Sequence, residues 1–353
     1  MSFRIFLISA VFVLFSDNMI AQDPHFTQFY SNSLQLNPAT SGTYSGTYRV
    51  SMIYRDQYFQ PLEESFKTFA ASGDVKLNIL DKKSDLKDVI SMGLTFMSDR
   101  VRIFDFNTNQ MLLTFAYHKA LDKRYKQTLG IGFQGGILQR AVNYENLTYH
   151  DQFNAIDAYS NPTSEFLPPN NKTVPDLSAG LYYSISPSKT TSAHIGFAFQ
   201  HFTQPNVSFY DDPVIINSDV EKTSKYPSRI TFHGGVAIKP NYRIEILPRV
   251  IVLQQGKKLT AQLSSLFKIK FTSRTGQYLH LGPLFRFVNN VNGTSLESMA
   301  AMLGIERSNF IIGLSYDWGL TSLVRDSRNF STLELSLVYI GEHDNDTNFC
   351  PQF

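Results

Sequence analysis

Alternation of apolar and polar residues with a period of two runs through most of this chain, and it restricts the fold more than any other feature. Across 229–239, Ile230, Phe232, Gly234, Val236 and Ile238 fall on one face, and Arg229, Thr231, His233, Gly235, Ala237 and Lys239 on the other. Successive strand side chains point to opposite sheet faces, so this is a strand with one apolar and one polar side. The division recurs in 192–201, where Ala193, Ile195, Phe197 and Phe199 oppose Ser192, His194, Gly196 and Gln200. In 259–271, Leu263, Phe267 and Ile269 oppose Thr260, Gln262, Ser264, Lys268 and Lys270, and near the C-terminal end Leu333, Leu335, Leu337 and Tyr339 oppose Thr332, Glu334 and Ser336.

Such segments are expected at 46–58, 65–79, 88–101, 107–121, 124–140, 176–187, 191–204, 227–239, 242–255, 258–272, 274–290, 294–307, 309–320 and 328–341. That is about fourteen strands, an even number as single-chain outer-membrane barrels have. Beyond the N-terminal region no stretch approaches the ~18 consecutive apolar residues of a membrane-crossing helix. Loop length is sorted by parity. The even-numbered links 121–124, 187–190, 239–242 and 306–309 are tight, while the long stretches 141–175 and 205–226 are both odd-numbered. Barrels in outer membranes keep short turns on the periplasmic side and long loops outside, whereas a soluble sandwich has no reason to sort its links. The expected fold is an all-β transmembrane antiparallel barrel of about 14 strands. Tyr54, Tyr58, Phe96, Tyr117, Tyr182, Tyr183, Phe202, Phe287, Tyr316, Trp318 and Tyr339 lie near strand ends, where amphipathic rings form interfacial girdles; the β-propensity of aromatics explains the same placement.

The N-terminus reads differently. Arg4, the apolar run Ile5 to Phe15, and the polar stretch ending at Ala21 form a secretory signal peptide cleaved after Ala21. The domain organisation is then 1–21 signal peptide, 22–45 an N-terminal plug or periplasmic segment, 46–341 the barrel, and 342–353 a C-terminal tail. The 32 basic and 30 acidic residues nearly balance, which argues against a nucleic-acid binder. The 29 Phe and 18 Tyr argue against disorder. One cysteine, Cys350, allows no internal disulfide and no cysteine zinc cage.

Catalytic patterns weaken on inspection. Gly130-Ile131-Gly132-Phe133-Gln134-Gly135 has dinucleotide-motif spacing, but it lies within an alternating strand and opens no helix, so close backbone approach or strand bending explains it better. Gly313-Leu314-Ser315-Tyr316-Asp317 lacks the second glycine of a nucleophile elbow. The eight histidines show no short ligand spacing, and His194 and His233 read as solvated lumen residues. His150-Asp151 and Asp211-Asp212 are weak cation candidates without the spaced ligands an ion needs. The expectation is a non-enzymatic protein with no cofactor, no metal site and no nucleic-acid partner.

Asp23-Pro24-His25-Phe26-Thr27-Gln28-Phe29-Tyr30, followed by Leu36-Asn37-Pro38-Ala39 and Gly42, resembles the opening of the PorP/SprF family of type IX secretion system membrane proteins. Arg49 and Tyr54-Arg55-Asp56-Gln57-Tyr58 are similar to its first-strand motif, with Asp and Tyr where Asn and Trp are commoner. Gly313 to Asp317, Ser322-Leu323 and Glu334-Leu335-Ser336-Leu337-Val338-Tyr339 look like its closing strands, and Cys350-Pro351-Gln352-Phe353 like a common ending with Gln in place of Arg. No such motif matches 141–226. The resemblance implies an outer-membrane barrel of the Bacteroidota that supports secretion or cell-surface attachment of a cargo protein with a type B C-terminal domain, gliding adhesins included. It also implies as partners other type IX components, a peptidoglycan-binding lipoprotein and membrane lipid.

Residues that would meet a partner are sought outside the strands. The long loops carry Tyr144, Tyr149, Phe153, Tyr159, Phe166, Phe209 and Tyr210, rings that either anchor a protein interface or pack the loops over the barrel mouth. The segment before the first strand offers Asp23, Pro24, Phe26, Gln28, Tyr30, Asn37 and Pro38, which either plug the lumen or dock a periplasmic partner. The competing function is a porin or solute-specific channel, which needs an open, charge-lined lumen; Arg229, Lys239, Lys268, Lys270, Asp317 and Glu334 on polar faces are compatible with one.

Overall fold

The computed structural model describes residues 23–59, 65–80, 87–102, 105–122, 126–145, 147–154, 156, 159–165, 167–209, 224–271, 276–290, 293–320 and 331–342. The proposed signal peptide, Ser322-Leu323 and the ending from Cys350 lie outside them. Fourteen antiparallel strands close into one barrel: β1 (Tyr48–Gln57), β2 (Phe66–Leu80), β3 (Lys87–Val101), β4 (Phe106–Asp122), β5 (Gln127–Val142), β6 (Asn171–Ile185), β7 (Thr191–Gln200), β8 (Arg229–Ile238), β9 (Ile244–Gln255), β10 (Lys258–Lys270), β11 (Gln277–Asn290), β12 (Gly293–Arg307), β13 (Phe310–Gly319) and β14 (Ser331–Gly341). Each pairs with its sequence neighbours, and β1 with β14 from Tyr48↔Gly341 to Gln57↔Thr332 closes the ring. Closure satisfies the backbone of every strand without a free edge, the condition for a sheet in hydrocarbon.

The two faces divide as the alternation requires. Ile230, Phe232, Leu263, Phe267, Leu335 and Leu337 are exposed on the outer wall, while Arg229, Thr231, His233, Gln262, Glu334 and Ser336 are buried in the lumen. This is the inverse of a soluble core, and it fits a wall whose solvent is lipid. Tyr48, Tyr54, Phe96, Tyr117 and Trp318 are exposed outside, as a girdle needs. Tyr182 departs from that expectation. Its neighbours Leu181 and Tyr183 point outward, so strand parity turns Tyr182 inward, where it stacks on His194 at 5.8 Å.

Strand ends moved where proline or loop chemistry had set the expected limit. β6 begins at Asn171 because Pro175 joins the strand opposite Ile137, although a residue without an N–H is a natural place to stop a strand. β7 ends at Gln200, before His201 takes a left-handed φ of 54°. The long loops are therefore 143–170 and 201–228. Both leave the end where β1 finishes, here termed the loop end; the tight links 186–190 and 239–243 mark the turn end.

Candidate functional site

Residues 23–47 lie inside the barrel between the loop end and the turn end, making one helical turn at Ser33–Leu36 and a 3-10 turn at Pro38–Thr40. Asn32 gives the helical turn no side-chain cap, and four residues cannot stabilise themselves, so the shape of this segment comes from the wall. Asn37 then caps the 3-10 turn by accepting from the Ala39 N–H at 2.9 Å, and Pro38 fits the first helical position.

At the loop end, Asp23 accepts hydrogen bonds from His201 (2.8 Å), Arg229 (2.9 Å) and the Tyr226 hydroxyl, and its own N–H donates to Gln255 at 2.9 Å. The other ring nitrogen of His201 faces Asp176 at 2.9 Å. An imidazole between two carboxylates donates from both nitrogens, so it is the charged form. Burial disfavours that charge, yet Asp23 and Asp176 outweigh it and push the His201 pKa up to about 9. Burial likewise opposes ionisation of Asp23, and His201 with Arg229 overcomes it and holds the carboxyl well below its usual range. The pairing also holds His201 in its left-handed conformation, which costs a non-glycine residue about 1–2 kcal/mol.

Also toward the loop end, at the closing seam, Glu334 accepts from the backbone N–H groups of Thr27 (2.8 Å) and Gln28 (3.0 Å) and from Arg55 at 2.8 Å. Arg55 and Glu334 are register partners across the closing seam and almost fully buried. One carboxylate thus joins the first strand, the last strand and the inner segment. Beside it, the Thr27 hydroxyl donates to Asp317 at 2.6 Å and accepts from Arg286 at 2.8 Å. Phe26 packs with Ile53, Ala70 and Met97. The segment then returns to the loop end, where Gln35 bonds Gln110 at 2.9 Å and its carbonyl accepts from Gln200 and from Arg229, the arginine that also holds Asp23. The Asn37 amide reaches the Leu181 carbonyl and His233, each at 3.0 Å. At the base, Asp74 accepts from the Gly42 N–H (2.9 Å) and Arg49 (2.9 Å).

Glycines in the wall make room for this path. A Cβ on Gly132 would overlap the backbone of Ala39, and one on Gly180 would overlap the Asn37 side chain. The dinucleotide-like run is thereby explained by close backbone approach. His233 is not the solvated residue expected, because the inner segment covers it; it is 4% exposed and bonded to Asn37.

The expected partner-binding residues therefore separate. Asp23, Phe26, Gln28, Asn37 and Pro38 are buried in the lumen, Pro24 is half-buried, and half-buried Tyr30 lies under the Arg249 guanidinium at 4.5 Å. In the loops, the Phe153 and Tyr159 rings meet at 5.4 Å with their planes tilted, the two residues bridge as isolated strand partners, and they are 54% and 51% exposed; Ile156 between them is 92% exposed. Tyr144 and Tyr149 are half-buried, and Phe209 packs on Phe106 at 6.4 Å. Phe166, Tyr210 and Asp211-Asp212 lie outside the described residues. Asp151 accepts from Ser164 and Thr163 and ties its own loop together. His201, Asp176, Arg286 and Asp74 were not singled out, since a lumen-facing polar residue looks alike in sequence whether or not it meets the inner segment.

A closed barrel with an apolar outer wall, a polar inner wall and long loops at one end is the architecture of outer-membrane β-barrel proteins. Within that class, the chain belongs to the PorP/SprF family of type IX secretion system membrane proteins, whose family model matches residues 18–339. No curated protein matches the chain. Among solved structures it is similar to a TodX monoaromatic hydrocarbon channel, a deltaS2 mutant, at TM-score 0.52 and 11% identity over 88% of this chain and 93% of that one. It is also similar to a Pseudomonas aeruginosa FadL homologue, at TM-score 0.48 and 13% identity over 86% and 92% of the two chains. The TodX likeness concerns the fold alone.

Proposed function

We propose that this protein is a non-enzymatic outer-membrane component of the type IX system, exported by its signal peptide, that supports secretion or surface attachment of a cargo protein of the gliding-adhesin kind bearing a type B C-terminal domain. The observation that carries this reading is the occupied lumen. Because residues 23–47 are bonded to the wall from the loop end to the base, the surface left for a partner at the loop end is the loops themselves, where Phe153, Ile156 and Tyr159 are solvent-exposed. Exposed aromatic and aliphatic clusters at the tip of a rigid scaffold are common protein-binding surfaces. The turn end, which faces the periplasm in barrels of this class, is the place for further type IX components, including a peptidoglycan-binding lipoprotein.

The test is gentle extraction of the tagged protein from outer membranes with mass spectrometry of what stays bound. Cargo recovery that disappears when 143–170 and 201–228 are shortened supports the reading. A barrel that emerges alone and forms open channels in planar bilayers overturns it in favour of a porin.

A further inference from the structure

The inner segment does not fill the lumen evenly. At the turn end, between this segment and strands β6 to β14 and β1, lies a cavity of about 620 Å³. Its volume is in the range of ~300–1,000 Å³ typical of small-molecule sites. One part is apolar: Phe29 and Leu36 of the inner segment face Leu247 and Leu266 of the wall, within a buried cluster that continues to Leu284 and Met302.

The other part is cationic, and one cation has no carboxylate at hydrogen-bond distance among the described residues. Arg249 projects inward from β9, its guanidinium stacked over the Tyr30 ring at 4.5 Å. It makes no hydrogen bond or ion pair among the described residues, and its Nη1 is buried without a hydrogen-bond partner. Elsewhere in the lumen Arg55, Arg229, Arg286 and Arg49 each hold a carboxylate within 3.1 Å. Of the cavity's own acids, Glu306 takes Lys268 at 2.7 Å and His280 at 2.9 Å, while Glu245, 3.7 Å from Lys239, acts on Arg249 through space without bonding it. Arg243, exposed in the β8–β9 turn, adds a further cation at the opening. Leaving a guanidinium half-buried beside apolar surface is costly unless something anionic completes it.

We propose that this cavity binds an amphipathic carboxylate, with the anionic head on Arg249 and an apolar or aromatic body against Phe29, Leu247 and Leu266. The guanidinium fork suits a planar two-oxygen anion, and the neighbouring leucines give no partner to a second charged or strongly polar group. Cations at the opening raise the local anion concentration and favour entry from the turn end. Because Tyr30 belongs to the inner segment and Arg249 to the wall, a bound ligand would touch both and clamp one to the other.

The experiment uses the full-length barrel in zwitterionic micelles, titrated with 3-phenylpropionate by calorimetry. Saturable one-to-one binding is expected, with 3-phenylpropanamide at least tenfold weaker because it lacks the charge. Arg249→Met should weaken the acid at least tenfold while leaving the heat-modifiable gel mobility of the folded barrel intact, and Arg249→Lys should recover part of the affinity. A tripeptide ending in phenylalanine, compared as free acid and as amide, separates a peptide end from a free small acid as the source of the head group. Equal binding of acid and amide by the unmodified protein overturns the proposal, as does an absence of saturable binding by both the acid and the peptide. The acid and amide comparison needs no variant, so it decides the matter even if Arg249→Met fails to fold.

Discussion

Residues 23–47 and the loop 143–170 have similar raw material, since both are rich in aromatic rings and in Asn, Ser and Thr, and both lie outside the strands. Their bonding is opposite. The inner segment bonds partners up to 308 positions away, as in Ser336 to Gln28, and the Asp23 carboxylate and the Asn37 amide are met by the wall. In the loop, Thr163 bonds Asp151 twelve positions away, Asn154 bonds Ser160 six away, and the Phe153 and Tyr159 rings contact each other. The contrast shows that composition does not decide whether a segment is buried here. Surroundings decide it, because a polar segment can enter a lumen only if the wall offers donors and acceptors at matching heights.

The sharpest way to break the contrast is Glu334→Ala, which strands the Arg55 charge and the Thr27 and Gln28 amides together. A loss of about 3–5 kcal/mol is expected, as for other broken buried pairs, measured by denaturant unfolding in micelles with protease access to residues 23–47 as the local readout. Next comes Gly180→Val, which puts a branched side chain where Asn37 sits. About 2–3 kcal/mol should be lost, with the inner segment partly displaced and channel conductance rising in planar bilayers.

A smaller effect should follow pH through the loop-end anchor. The His201 pKa is raised, so its contribution is complete below the ordinary 6.5 and is lost as pH rises through about 9. Asp23 is shifted the other way, so its contribution is present above its ordinary 3.8 and is lost as pH falls below that value toward its depressed pKa. Anchoring is therefore strongest between about 4 and 6.5 and declines by about 2 kcal/mol toward pH 9. His201→Gln should abolish that alkaline slope; a slope that persists in the variant would assign it to another group. The smallest effect belongs to the loop. Phe153→Ala should change barrel stability by no more than about 0.5 kcal/mol and leave the inner segment protected. If it instead exposes residues 23–47 to protease, the two regions are coupled and the contrast is wrong.

Much of the barrel was legible in advance because membrane-facing and lumen-facing residues alternate strictly, and a period of two survives in sequence whatever surrounds it. The strand number and the placement of the long loops followed from that pattern. The misjudged limits share a cause: at Pro175 and His201 local chemistry was overruled by a neighbouring strand or by an ion pair. Tyr182 illustrates the same limit, since its type suggests a girdle while its parity buries it beside His194. Of the inner segment, only the motif and its two alternative uses could be read. Its path depends on contacts such as Asp23 with His201, 178 positions apart.

The sequence by itself determined that this chain closes a β-barrel with an apolar exterior, because each residue's face is set by its position along the strand. Only the tertiary structure decided what occupies the interior, which glycines had to be glycines, and that Arg249 was left without a carboxylate at bonding distance. Those features depend on side chains brought together from distant strands at matching heights, and no periodicity along the chain encodes height across a closed sheet.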